Sequence, residues 1–428
     1  TGGQLMPPIM GAGAFVMASF TQIPYTHIVT VAALPALLYF LSVAFFVRIE
    51  ARRHNLPPMP DEGQTIGSAF KEGGASFLIP ITILISMLIA GFTPTYAAVF
   101  GILAVIASSW LTKNGMGPKA VFEAFVMGTK GMVLTAVLLC SVGLIVNVIA
   151  TAGIGNTFSL MISSWAGGNI LIAIILIALA SLVLGMGLPV TAAYIVLATL
   201  SAPALSGMIS DQFVIAELAA GTLPEAAKAV LMFGVPEQAA LLNQDLTFAQ
   251  ASEIIRALPL EIAAPVRDLV VPEAVAMSAL LSAHMIIFWL SQDSNVTPPV
   301  ALAAFTAAAI AKAPAMATGV ASWKLAKGLY IVPVLFAYTP FLSGDWPAMI
   351  QVFCFGVIGI YGLSAALQGC MEKPFGVLMR GLCLVAGFAC LWPAAFLANV
   401  LGALGVVVLL VWNVKFMGRD TASVAAST

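Results

Sequence analysis

Charge is what this sequence has least of. Only 8% of its 428 residues are Asp, Glu, Lys or Arg, whereas a soluble globular domain carries about 25%. The two signs nearly cancel, 17 basic against 18 acidic side chains, for a net charge of −1. An ordinary soluble domain is excluded, and no basic surface for nucleic acid is implied. Histidine is scarce too: His27, His54 and His284 stand far apart and at no ligand spacing. The five cysteines, Cys140, Cys354, Cys370, Cys383 and Cys390, lie mostly inside apolar runs with no Cys-x-x-Cys pair. They read as small core residues rather than disulfide partners or metal ligands. No Walker loop, Gly-x-Ser-x-Gly or His-Glu-x-x-His occurs, which argues against ATP-driven transport by this chain and against a catalytic constellation. No signal peptide is evident; the chain opens at Thr1 inside a motif, and reads as a fragment or a processed C-terminal piece.

What is present is hydrophobic, 61% of the residues. Several apolar runs reach the ~20 residues that cross a bilayer as a helix. The expected fold class is an all-α polytopic membrane protein.

Its most informative stretch is Asp293-Ser294-Asn295-Val296-Thr297-Pro298-Pro299, set between the apolar runs Val275–Leu290 and Val300–Ala311. Two successive prolines remove two backbone donors, so the carbonyls of Ser294 and Asn295 lose their helical partners. Broken helices survive at membrane depth only where they are buried in protein or line a polar cavity. Oxygen-rich and donor-poor, the segment suits a hard cation such as Na+. Asp293 strengthens the case, because a carboxylate at the centre of a membrane helix costs about 2.5–3.5 kcal/mol on insertion scales. The same device opens the chain: Gly2-Gly3-Gln4-Leu5-Met6-Pro7-Pro8 frees the carbonyls of Gly3 and Gln4 before the apolar Ile9–Phe20. Matching interruptions in two segments are the sequence signature of a transporter site built from repeats.

Between them, positive-inside counting places Arg48, Arg52 and Arg53 in the cytoplasm after a span from His27 to Ile49. A hairpin of Ala75–Gly91 and Tyr96–Leu111 returns to Lys113, Lys119 and Lys130. Met132–Ala150 crosses outward to a Gly/Asn/Ser-rich connection around Gly153–Asn169. Ile170–Leu184 and Ala192–Leu205 flank another break, Gly185-Met186-Gly187-Leu188-Pro189-Val190-Thr191. By itself this is either a re-entrant hairpin or one long broken helix. The acidic stretch Gly207–Pro272 has few Lys or Arg residues and so favours the outside, which makes 169–206 the re-entrant hairpin and Val275–Ala311 the crossing element. Short amphipathic helices between prolines are expected in that insert. Lys312, Lys324 and Lys327 then fall inside. Leu329–Leu342, Ala348–Leu367 and a last hairpin, Val377–Leu391 with Ala394–Trp412, bring the C-terminus to the cytoplasm, before a tail over 416–428. His284 reads as a packing residue or a cavity liner, and Trp323, Lys324 and Lys327 as an interfacial anchor. The segmentation is 1–20, 21–168, 169–206, 207–272, 273–311, 312–415 and 416–428.

Three motifs in this order, Gly2–Gly11, Gly185–Tyr194 and Asp293–Phe305, resemble the large membrane subunit of tripartite ATP-independent periplasmic (TRAP) transporters. The nearest type is the fused permease that works with TAXI-class solute-binding proteins. The resemblance implies an inverted-repeat, elevator-type, Na+-driven importer of organic anions in the bacterial inner membrane. Its expected partners are a periplasmic TAXI-class binding protein, a small membrane subunit and the lipid bilayer, with Na+ as coupling ion and no other cofactor. It also implies that a first re-entrant hairpin and a fused small subunit precede Gly2. Within that frame one Na+ site draws on Gly185, Gly187, Thr191, Ser294, Asn295 and Thr297. Gly3, Gln4 and Met6 supply half of the other. Pro8, Asp293, Pro298 and Pro299 lie on the substrate side, where half-helix N-termini suit a carboxylate. A binding-protein-independent Na+/carboxylate symporter is the alternative of the same kind. A membrane scaffold or intramembrane enzyme is the alternative of another kind.

Overall fold

The computed structural model describes residues 2–57, 65–112, 115–186, 188–238, 240–393 and 395–415. Among these, regular structure is almost entirely helical. The chain begins with α1 (Gly2–Leu5), α2 (Gly11–Thr21), α3 (Tyr25–Arg53), α4 (Ile66–Ile89), α5 (Pro94–Ser109), α6 (Pro118–Thr151) and α7 (Ile154–Ala166). It continues with α8 (Ile170–Gly185), α9 (Val190–Ala219), α10 (Glu225–Gly234), α11 (Phe248–Ala257), α12 (Leu260–Val270) and α13 (Glu273–Ser291). It closes with α14 (Leu302–Ala311), α15 (Ala315–Leu325), α16 (Gly328–Tyr338), α17 (Trp346–Gln368), α18 (Val377–Leu391) and α19 (Phe396–Lys415). Among the described residues six spans are long and apolar enough to cross a membrane, or seven if the bent pair α6–α7 counts as one. The chain is a polytopic, all-α membrane protein.

The centre is α13. Every residue from Leu281 to Ser291 is buried, the pattern of a helix enclosed on all sides. Helices α9, α8 and α16 pack around it, and Trp289 meets Tyr39 and Phe336 edge-on with ring centroids 5.9 and 5.2 Å apart. The Tyr194 hydroxyl and His284 Nδ1, 2.9 Å apart, join α9 to α13. That bond settles His284 as a packing residue, its polar atom satisfied inside the core.

The connections between these helices refine the sequence reading. The glycine-rich stretch after Ala150 is a helix: α7 turns 74° from the end of α6 and buries Ser159, Ile162 and Ala166. Its glycines lie at the ends, Gly153 and Gly167 both with positive φ, where they delimit the helix instead of dissolving it. The boundary drawn at 206 falls inside α9, which runs without interruption to Ala219. Residue 265 is a proline inside α12 and separates nothing. Lys113 and the tail 416–428 lie outside the described residues.

The insert has its own apolar core, in which Leu223, Leu231, Ile254 and Val266 meet Val214 and Leu218 of α9. Helix α11 opens with a capping box between Thr247 and Gln250. Arg267 clamps Asp211 with two bonds, 2.7 and 2.8 Å, with both side chains 20% exposed. Bidentate charged bonds of this kind are among the stronger ones. A double-mutant cycle with Asp211→Asn and Arg267→Gln is expected to give a coupling of about 1.5–3 kcal/mol, read from thermal unfolding of the purified chain.

Candidate functional site

The two proline breaks have the same backbone. Pro7-Pro8 and Pro298-Pro299 are both joined by cis peptide bonds. Each is followed by a left-handed residue at the start of the next helix, Met10 (φ 47) before α2 and Ala301 (φ 31) before α14. Both helices end on a left-handed residue, Gln22 (φ 58) and Lys312 (φ 51). Pro24 and Pro314 then cap α3 and α15. In each break the residue before the prolines accepts one helical bond, Met6 O from Met10 N–H at 3.2 Å and Thr297 O from Ala301 N–H at 3.3 Å.

The breaks meet. The Asn295 side-chain amide donates to Gln4 Oε1 at 3.3 Å, across most of the chain length. The tip between α8 and α9 touches the second break: a Cβ built on Gly185 would lie 2.6 Å from Ser294 Cβ. Only glycine allows that approach. Gly185, Ser294, Asn295 and Gln4 therefore form one continuous contact; a Cβ built on Gly3 of α1 would have nothing within 4 Å. Thr191 stands half-buried in the first turn of α9.

The freed carbonyls are where the prolines put them. Thr297 N–H reaches back to Asp293 O at 2.9 Å, and no backbone N–H among the described residues donates to Ser294 O or Asn295 O. The same holds for Gly185 O, since Leu188 N–H goes to Leu184 O at 3.1 Å. These oxygens need a partner in a low-dielectric setting. Met6 differs, because its carbonyl is already taken by Met10. Pro8 differs as well, because Tyr25 donates its hydroxyl to Pro8 O at 2.6 Å and lies 3.0 Å from Ile9 O. Gly187 lies outside the described residues.

Asp293 is buried at 4% exposure and faces the protein, not the lipid. Its carboxylate Oδ1 accepts from the hydroxyls of both Thr297 and Tyr330. Trp323 Nε1 donates in turn to Tyr330 Oη at 3.1 Å, and the Lys327 ammonium lies 3.4 Å above the Trp323 ring. Of the residues read as an interfacial anchor, Trp323 and Lys327 also join the chain of contacts that ends on Asp293. Tyr330 was not foreseen, yet Trp323, Lys327 and Tyr330 recur at helical spacing, and that stripe was the available signal. Pro298 packs under α15, where a Cβ on Gly319 would sit 3.0 Å from Pro298 Cγ, whereas Pro299 is exposed. Gln292, fully buried, has no partner for either amide atom.

Chemically, the arrangement offers carbonyl oxygens without backbone donors on two elements that touch at Gly185 and Ser294, in the same break as a hydrogen-bonded carboxylate. Hard cations are held by such oxygen sets. A family model described as tripartite ATP-independent periplasmic transporter, DctM component, matches residues 1–342, a range that takes in both breaks, the hairpin and the insert. No curated protein matches the chain, and no solved structure does.

Proposed function

Because the chain belongs to the DctM component family of tripartite ATP-independent periplasmic transporters, we propose that it is the Na+-coupled, organic-anion-conducting permease of such a system. Membership makes it a membrane permease subunit of the inner membrane, which works with a periplasmic binding protein and a small membrane subunit. Na+ coupling, an elevator movement, a TAXI-class partner and a cytoplasmic C-terminus are the finer reading.

One observation carries it: the hairpin tip touches the second break at Gly185 and Ser294, and no backbone N–H among the described residues donates to the carbonyls of Gly185, Ser294 or Asn295. In this reading Na+ joins tip and break and closes the site only when loaded. Gln4, held by Asn295, links the first break to the same closure. Half-helices α2 and α14 then direct their N-termini at a substrate carboxylate. Each net positive charge carried inward gains about 2.3 kcal/mol per 100 mV, nearly two decades of accumulation.

The test is uptake into proteoliposomes holding the complete transporter, with its binding protein outside. An inward Na+ gradient is expected to drive accumulation and a K+ gradient of equal size is not. Accumulation independent of Na+ would refute the coupling, and full activity without any binding protein would favour the simple symporter.

The insert offers acidic side chains for docking. Glu225, Glu237 and Glu253 are exposed, although Lys228 already pairs with Glu225 at 2.8 Å. Reversing all three to Lys is expected to raise the binding-protein concentration for half-maximal uptake several-fold at low salt and less at high salt, since surface charges are screened over about 8 Å at physiological ionic strength. An unchanged concentration at both salts would make the insert a passive cap.

A further inference from the structure

Where α3, α15 and α17 come together, at the end bearing Arg48, Arg52 and Arg53, lies a cavity of about 530 Å³ that the transport reading does not use. Its chemistry has two halves. Arg53, Lys324 and Lys327 supply cationic lining, and Glu50 and Gln368 supply acceptor oxygens. Nearby Arg48 and Arg52 are both engaged by Glu372. Lys324, by contrast, has no carboxylate within ion-pair distance among the described residues, and Arg53 reaches Glu50 only at 3.9 Å. Lys324 therefore leaves room for an anion, with Arg53 and Lys327 in the same lining.

An anion alone leaves the other half unsatisfied. Gln368 is 9% exposed. Its amide N–H groups are used, donating to Phe46 O at 2.9 Å and Glu50 Oε2 at 3.2 Å. Its Oε1 has no donor among the described residues. A buried acceptor next to a carboxylate calls for a positively charged N–H donor. The cavity therefore suits a molecule that carries an anion and a primary ammonium a few atoms apart.

The walls indicate its source. Val320, Trp323 and Leu367 line the same cavity and are 38, 37 and 54% exposed, so its apolar side opens to the hydrocarbon rather than to water. Tryptophan and lysine side by side mark the headgroup level of a bilayer. We propose that this cavity binds one phosphatidylethanolamine, its phosphate held by Lys324, Lys327 and Arg53 and its ammonium by Glu50 and Gln368 Oε1. Basic pockets between membrane helices hold lipid headgroups in this way; here the acceptor half adds selection for an N–H donor. The bound lipid would tie α15 to α3 and α17.

The experiment uses the full chain, delipidated in detergent and offered defined lipids, with bound lipid read by native mass spectrometry and stability by thermal unfolding. One dioleoyl phosphatidylethanolamine per chain is expected to be retained at least tenfold better than dioleoyl phosphatidylcholine, whose quaternary ammonium has no N–H. It should also exceed dioleoyl phosphatidylglycerol, which has no ammonium. Lys324→Ala and Glu50→Gln are expected each to lower retention several-fold, and to lose the lipid-induced rise in melting temperature while melting like the parent without lipid. Equal retention of the three lipids, preference for phosphatidylglycerol, or retention unaffected by both substitutions would overturn the proposal. Equal stabilisation by soluble glycerophosphoethanolamine at the same concentration would overturn the assignment to a lipid.

Discussion

Gly185→Ala is expected to raise the Na+ concentration for half-maximal uptake by about tenfold or more while leaving membrane insertion intact. The added methyl would have to occupy a point 2.6 Å from Ser294 Cβ, closer than two carbon atoms approach. Hairpin tip and broken helix must then part by several tenths of an ångström. Overpacking of this kind costs about 1–3 kcal/mol, and about 1.4 kcal/mol is a factor of ten in binding. The cost falls on the arrangement in which the two elements touch, which the proposed Na+ site requires. Gly153→Ala, at a helix end with nothing within 4 Å of its Cβ, serves as a control: it strains the local positive φ without altering the Na+ dependence. Equal Na+ dependence in Gly185→Ala and the parent would remove the tip from the site.

The second large effect is expected at Asp293. Replacing it with alanine removes the acceptor shared by Thr297 and Tyr330 and strands two hydroxyls in the interior. A stranded buried donor costs about 1–3 kcal/mol, so the melting temperature should fall markedly and uptake should be lost. Asp293→Asn keeps an acceptor oxygen and should be the milder change in stability. Tyr330→Phe breaks only the outer link, leaving Thr297 bonded and Trp323 Nε1 without its partner, and should cost less than Asp293→Ala. If Asp293→Ala and Asp293→Asn melt alike, the hydrogen bonds are not what makes the carboxylate necessary.

Much of this architecture could be read from the chain because its two strongest signals are local. A proline pair deletes backbone donors wherever it occurs, so Pro7-Pro8 and Pro298-Pro299 announced both breaks and the carbonyls they free. Apolar length announced a polytopic membrane protein, and the prolines of the insert announced most of its short helices. What stayed hidden depends on long-range geometry. Nothing near Gly185 specifies that it will touch Ser294, and nothing near Gln4 points to Asn295. The sequence marked a glycine-rich stretch after Ala150 without assigning it a conformation, and burial of Ile162 and Ala166 in a helix packed on α9 supplies one. Likewise the polar character of residues 207–219 marked an insert, while buried Met208, Val214 and Leu218 keep that stretch on α9. Lys327 looked like an anchor because its partners, Tyr330 and through it Asp293, are set by the fold of α16 against the break.

The most direct test of the central claim, that a Na+ ion bridges the hairpin tip and the second broken helix, is amide hydrogen exchange on the complete purified transporter titrated with NaCl against equimolar KCl. The account predicts that Na+ alone slows exchange, over one concentration range, in the peptide carrying Leu188 and in the peptide carrying Val296 and Thr297. Protection of only one of these segments, or the same exchange in Na+ and K+, would contradict it.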